Sequence, residues 1–163
     1  MTRIPESIAA FLRGRRIAVA GLSRDARQPA NAIFRKLKGA GYEVFPINPK
    51  TPMVEGATCY ADLAAVPVPL DGVVIVTAPG AALDIVRQCA SRGMPRVWFH
   101  RSFGDGSVSD AAVRECAAKG IDAIVGGCPM MFCEPVDLAH RCMRWWLQRS
   151  GRVPRDGITP TTL

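Results

Sequence analysis

Ile17-Ala18-Val19-Ala20-Gly21-Leu22-Ser23, then Arg24-Asp25-Ala26-Arg27-Gln28-Pro29, then Ala30-Asn31-Ala32-Ile33-Phe34-Arg35-Lys36-Leu37-Lys38 is the stretch that decides the fold. Its first piece is an apolar run with β-branched residues, which predicts a strand covered on both faces. Its last piece spaces Ala30, Ile33, Phe34 and Leu37 as one face of a helix and puts Arg35, Lys36 and Lys38 on the other. In the turn between them, Gly21 lets backbone approach a ligand, Ser23 offers a hydroxyl, and Pro29 needs no N–H partner at the start of a helix. The free N–H groups and positive dipole end of that helix point to the same place, which suits an anion. From this stretch alone, an ordinary ligand-free βα connection remains the alternative.

Working outward, Gly39 and Gly41 end the helix, and Tyr42-Glu43-Val44-Phe45-Pro46-Ile47-Asn48 reads as a second strand. Asn48-Pro49-Lys50 follows, where a dinucleotide-binding fold carries an acid about 20 residues past its glycine turn. An amide and a cation suit a phosphorylated ribose or another phosphate better than NAD. The connection from Thr51 to Pro69 holds a turn at Gly56 and a short predicted helix over Asp62 to Val66. Gly72-Val73-Val74-Ile75-Val76-Thr77-Ala78-Pro79 is a third, buried strand with its stop signal. The next helix turns Ala82, Ile85, Val86 and Cys89 inward and closes at Gly93.

A fourth strand, Arg96 to His100, leads into the loop Arg101 to Gly106. Ser107 or Ser109 caps a helix whose Val113, Cys116 and Ala117 face inward, and Gly120 ends it. The fifth strand, Ile121 to Val125, opens into Gly126-Gly127-Cys128-Pro129. Strands alternating with helices predict an α/β, Rossmann-like, doubly wound parallel five-stranded sheet with helices on both faces. A last helix, Pro135 to Gln148, carries Leu138, Cys142, Trp145 and Trp146 as an apolar stripe, read as core or dimer contact. Residues 1–150 form one domain, and 151–163 read as a mobile tail or an arm lying on a partner.

The composition is that of a globular domain: 163 residues, 48% hydrophobic, net charge +7. The basic residues are scattered, without a stripe or interleaved aromatics, which argues against nucleic acid and for a small anionic ligand. The first twelve residues lack a long apolar run, so neither a signal peptide nor a membrane span is expected, and the expected compartment is the cytoplasm; Ile8, Phe11 and Leu12 suggest a short helix against the sheet edge. All six cysteines are read as thiols. Cys128, Cys133, His140 and Cys142 are spaced too loosely for a structural zinc site. His100 and Asp105 could form an acid/base pair, but without a nucleophile elbow or a triad no catalytic residue is assigned.

Gly21-Leu22-Ser23, Asn48-Pro49-Lys50, Thr77-Ala78-Pro79 and Gly127-Cys128-Pro129, in this order, resemble the stand-alone CoA-binding domain proteins. These are similar to the N-terminal CoA-binding domain of the succinyl-CoA synthetase α subunit, and the resemblance runs from about residue 15 to 135. It implies that Gly21, Leu22, Ser23 and Arg24 wrap the CoA phosphates and that Lys50 meets a phosphate of the adenosine end. It also implies that Thr77, Ala78 and Pro79, with Phe99, His100 and Arg101, line the crevice beside the adenine and the pantetheine arm. The phosphorylated histidine of the synthetase belongs to a second domain, so its chemistry is not implied.

Arg24, Arg27 and Lys50 are the cations at hand for such a ligand. Cys128, following the fifth strand, is expected at the mouth of the crevice near the CoA thiol, with an inert thiol beneath the turn as the alternative. The expected function is CoA or acyl-CoA binding without catalytic machinery. The alternative is an enzyme that uses NADP or another nucleotide in the same crevice. A homodimer is expected because Met143, Trp145, Trp146 and Leu147 can hardly all be buried against one sheet, and a protein partner stays open.

Overall fold

In the computed structural model, residues 4–102 and 104–154 are described. Helix α1 (Glu6–Leu12) precedes β1 (Arg16–Ala20), α2 (Pro29–Gly39) and β2 (Glu43–Ile47). A hairpin of β3 (Met53–Val54) and β4 (Ala57–Thr58) follows, then β5 (Gly72–Ile75), α3 (Pro79–Ser91) and β6 (Arg96–Phe99). The chain continues with α4 (Asp110–Ala118), β7 (Asp122–Val125), a 3-10 turn at Pro129–Met131 and α5 (Leu138–Arg149).

The five long strands form one parallel sheet in the order β2-β1-β5-β6-β7. The order reverses direction at β1, and the opening between β1 and β5 is where such a sheet takes a ligand. Register aligns the strand ends there: Ala20 pairs with Ile47 on one side and with Ile75 on the other. Gly21, Asn48 and Val76 therefore leave the sheet side by side. Pro46 fits in β2 because this is an edge strand; its carbonyl still accepts from Tyr60 N–H.

Both sheet faces are covered. On one, α1, α2 and α5 pack over Ile17, Val19, Val74, Trp98 and Ile124. On the other, α3 and α4 pack over Ala18, Ala20, Val73, Ile75, Val97 and Phe99. Helix α1 packs on this face beside the edge strand β7, as expected, and reaches inward to β6, where Phe11 meets the Trp98 ring edge-on at 5.3 Å. Gly72 makes the room: a Cβ there would stand 2.7 Å from the Phe11 ring.

Three local expectations change. Asp62 to Val66 is a series of bends and turns with Leu63 buried. The Arg92 guanidinium reaches back to this segment and donates to the carbonyls of Leu63, Ala64, Val66 and Val68, which replaces the bonds a helix would supply. On α4 the buried residues are Ala112 and Cys116, whereas Ala117 is exposed. The expected tail starts as packed chain: Arg152 N–H donates to Leu147 carbonyl and Val153 is 2% exposed, against Gly127. The remainder of that tail, residues 155–163, lies outside the described residues.

Candidate functional site

At the C-terminal ends of β1, β2 and β5 a crevice of about 490 Å³ opens. Gly21 and Leu22 line it from β1, Asn48, Pro49 and Lys50 from β2, and Thr77 and Ala78 from β5. These three turns are the ones that the sequence reading singled out. Gly21 is fixed by geometry: its φ is +103°, and a Cβ would stand 2.4 Å from the Val76 carbonyl oxygen.

Side chains hold the first turn open. The amide of Asn31, on α2 and 1% exposed, donates to the Ser23 carbonyl at 2.7 Å and accepts from Ser23 N–H at 3.0 Å. The Ser23 hydroxyl accepts from Asp25 N–H at 3.1 Å. Ser23 thus has its backbone engaged, while among the described residues the N–H groups of Leu22 and Arg24 have no hydrogen-bond partner. Asn31 also donates to Glu55 at the hairpin tip, and Arg35 pairs with the same carboxylate at 2.5 Å. The second turn is tied to the first, because Asn48 donates to the Leu22 carbonyl and accepts from Lys50 N–H at 2.7 Å.

The expected cations separate. Lys50 lines the crevice and is exposed, and the Arg24 guanidinium crosses to the Lys50 carbonyl at 3.5 Å. Arg27 points away: its side chain is 90% exposed and paired with Asp25 at 2.9 Å. That pairing holds the Asp25 carboxyl below the usual range.

Pro79 begins α3 behind Ala78 and is not itself in the lining. Phe99 ends β6, one strand beyond β5, His100 and Arg101 follow it, and none of the three lines the crevice. Phe99 is fully buried in the core under α3 and α4. Burial pushes His100 down to about 4, and its ring nitrogen faces the Ser102 hydroxyl at 3.3 Å, not Asp105. Cys128 is 5% exposed, packs in the core under α5, and is pushed up to about 12 by burial. It is absent from the crevice because β7 lies two strands beyond β5.

Further lining comes from residues not assigned to the site from sequence: Ala61, Asp62, Ala81, Asp84, Ile85 and Gln88. The last four recur at helical spacing along α3, a periodicity that signalled the helix's buried face but not its wall toward the crevice. Gln88 accepts from Leu63 N–H at 3.0 Å, and Asp84 stands 3.6 Å from Arg87. The lining thus combines Lys50 and the free N–H groups of the turn after β1 with the carboxylates of Asp62 and Asp84 and the apolar Ala61, Ala81 and Ile85. Among the described residues no cluster of three or more metal-ligating side chains occurs; His140 pairs with Asp137 at 2.6 Å.

A sequence profile described as a CoA binding domain matches residues 15–134. The uncharacterized protein YneT of Bacillus subtilis (strain 168) is 25% identical over 116 residues, 71% of this chain and 83% of YneT. A hypothetical protein from Pyrococcus horikoshii OT3 superposes with a TM-score of 0.74 at 25% identity, over 83% of this chain and 98% of its own. The dinucleotide-forming acetyl-coenzyme A synthetase 1 of Ca. Korarchaeum cryptofilum, solved with phosphate and ADP, superposes with a TM-score of 0.60 at 26% identity. That match spans 71% of this chain but 26% of the synthetase.

Proposed function

The chain belongs to the CoA binding domain family, and from that premise we propose that its crevice binds CoA or acyl-CoA as a carrier or sensor of the bound thioester. The observation that carries this reading is the alignment of Gly21-Leu22, Asn48-Pro49-Lys50 and Thr77-Ala78 around one crevice at the switch point of the sheet. The pyrophosphate sits over the turn after β1, where unpartnered N–H groups and the start of α2 meet it. Lys50 takes the ribose 3′-phosphate, with Arg24 beside it. The base lies against Ala81 and Ile85, where the carboxylates accept from an amino group and repel phosphate. The pantetheine arm leaves past Thr77 and Ala78 in the direction of His100 and Arg101.

Thermal unfolding with CoA, acetyl-CoA, NADP and NAD tests this. A ligand of the native state at a hundredfold excess over Kd adds about 2.7 kcal/mol, roughly 5 to 10 °C in Tm for a domain of this size. CoA and acetyl-CoA should give that shift and NAD none. A shift with NADP and none with CoA would overturn the reading in favour of a nucleotide-dependent enzyme.

A further inference from the structure

The outward side of α5 carries an exposed apolar stripe. Leu138 is 74% exposed, Trp145 57%, and Cys142 is the one exposed cysteine of the six. Their spacing puts them on one stripe of the helix. The opposite stripe holds α5 to the domain: Leu147 is fully buried, Met143 packs in the same core, and Arg144 donates to the Met131 carbonyl at 3.1 Å. Arg149 lies on the outward stripe, its guanidinium 4.7 Å over the Trp145 ring. The two ends of the element differ in charge, with Glu134 and Asp137 exposed at its N-terminal end and Arg149 and Arg152 exposed at its C-terminal end, while Arg141 is exposed between them beside Cys142.

We infer that this face docks on the same face of a second copy, with the two α5 helices antiparallel about a two-fold axis at Cys142. Charge decides the occupant and the direction. An antiparallel pair sets the Glu134 and Asp137 end of one helix against the Arg149 and Arg152 end of the other, and opposes the helix dipoles. An anionic lipid surface would attract the arginines but meet the two acids on the same element. Leu138 lies one turn before Cys142 and Trp145 one turn after it, so each Leu138 packs on the Trp145 of the other copy. Spacings of four and three residues suit helices crossing at about 20°. The two-fold makes the contact isologous and closed. It leaves the ligand site open, since no α5 residue lines the crevice. One helix pair of this length falls below about 1,200 Å² of buried surface, so the dimer should be reversible, with Kd in the range of roughly 1 to 100 μM.

The test uses the full chain in sedimentation velocity over about 1 to 200 μM, together with cross-linking by a short bismaleimide. The wild type should pass from monomer to dimer over that series and give a covalent two-chain species that Cys142→Ser abolishes. Trp145→Glu, or Leu138→Glu if the first folds poorly by circular dichroism, should weaken the dimer at least ten-fold or so. Arg149→Glu should weaken it too, and Glu134→Arg in the same chain should restore it. A monomer at the highest concentration would overturn the inference. So would a dimer or cross-link indifferent to these substitutions, or a monomer that instead binds phosphatidylserine vesicles through Trp145.

Discussion

Asn31 holds Ser23 by both backbone groups, accepting from its N–H at 3.0 Å and donating to its carbonyl at 2.7 Å. A buried helix side chain thereby sets the shape of the turn after β1. Asn31→Ala should lower stability by about 1 to 3 kcal/mol, because both groups of Ser23 lose their partner, and should weaken CoA as well. Asn31→Asp should do more, since it opposes the Glu55 carboxylate that now accepts from the amide at 2.9 Å. Urea denaturation and calorimetric titration measure the two effects. Lost stability with unchanged affinity would show that Asn31 does not shape the binding turn.

Gly21→Ala should be severe: its positive φ costs a side chain about 1 to 3 kcal/mol, and the new methyl collides with the Val76 carbonyl. Gly80→Ala, in α3 with nothing near its Cβ, should be neutral or stabilising by up to about 1 kcal/mol. Equal melting temperatures for the two variants would contradict the close approach of β1 and β5.

Most of the architecture was legible because hydrophobic period reports it directly. Ala82, Ile85, Val86 and Cys89 point inward as their spacing says, and the turns after β1, β2 and β5 meet because parallel strands end in register. The segment from Asp62 to Val66 was not legible, since its carbonyls are satisfied by Arg92, far along the chain. Nor was the direction of α5. An apolar stripe shows that a helix has two sides, and here the Met143 and Leu147 side meets the domain while Trp145 faces out. Phe99 ends β6 and Cys128 follows β7, and both strands lie beyond β5, a matter of sheet order that no single strand records.

In the native protein, one thiol should react quickly with a small disulfide reagent, that of Cys142. Burial pushes Cys89 and Cys128 up to about 12 and Cys116 up to about 11, so little thiolate forms at neutral pH and reagent access is poor. Incubation with CoA disulfide followed by mass spectrometry should leave Cys128 unmodified until the protein is unfolded. An adduct on Cys128 in the folded state would contradict its place in the core.

His100 should make the fold less stable in mild acid. Its folded value, about 4, lies below the usual 6.5, so the unfolded chain binds the extra proton between those values. Stability from this group is complete above about pH 6.5 and is lost as pH falls toward 4, with a slope of up to about 1.4 kcal/mol per pH unit. His100→Gln should flatten that part of the urea midpoint profile. An unchanged slope would mean that another group governs the acid limb.

In the proposed complex CoA lies in the crevice with its 3′-phosphate on Lys50. Calorimetric titration of CoA and dephospho-CoA against the wild type and Lys50→Ala checks this placement. A partly desolvated charge-assisted contact contributes roughly 1.5 to 3 kcal/mol, so Lys50→Ala should weaken CoA about ten- to a hundred-fold. It should weaken dephospho-CoA, which lacks that phosphate, far less. Equal losses for both ligands would contradict the placement of the phosphate, and no heat from CoA with the wild type would contradict the proposed complex itself.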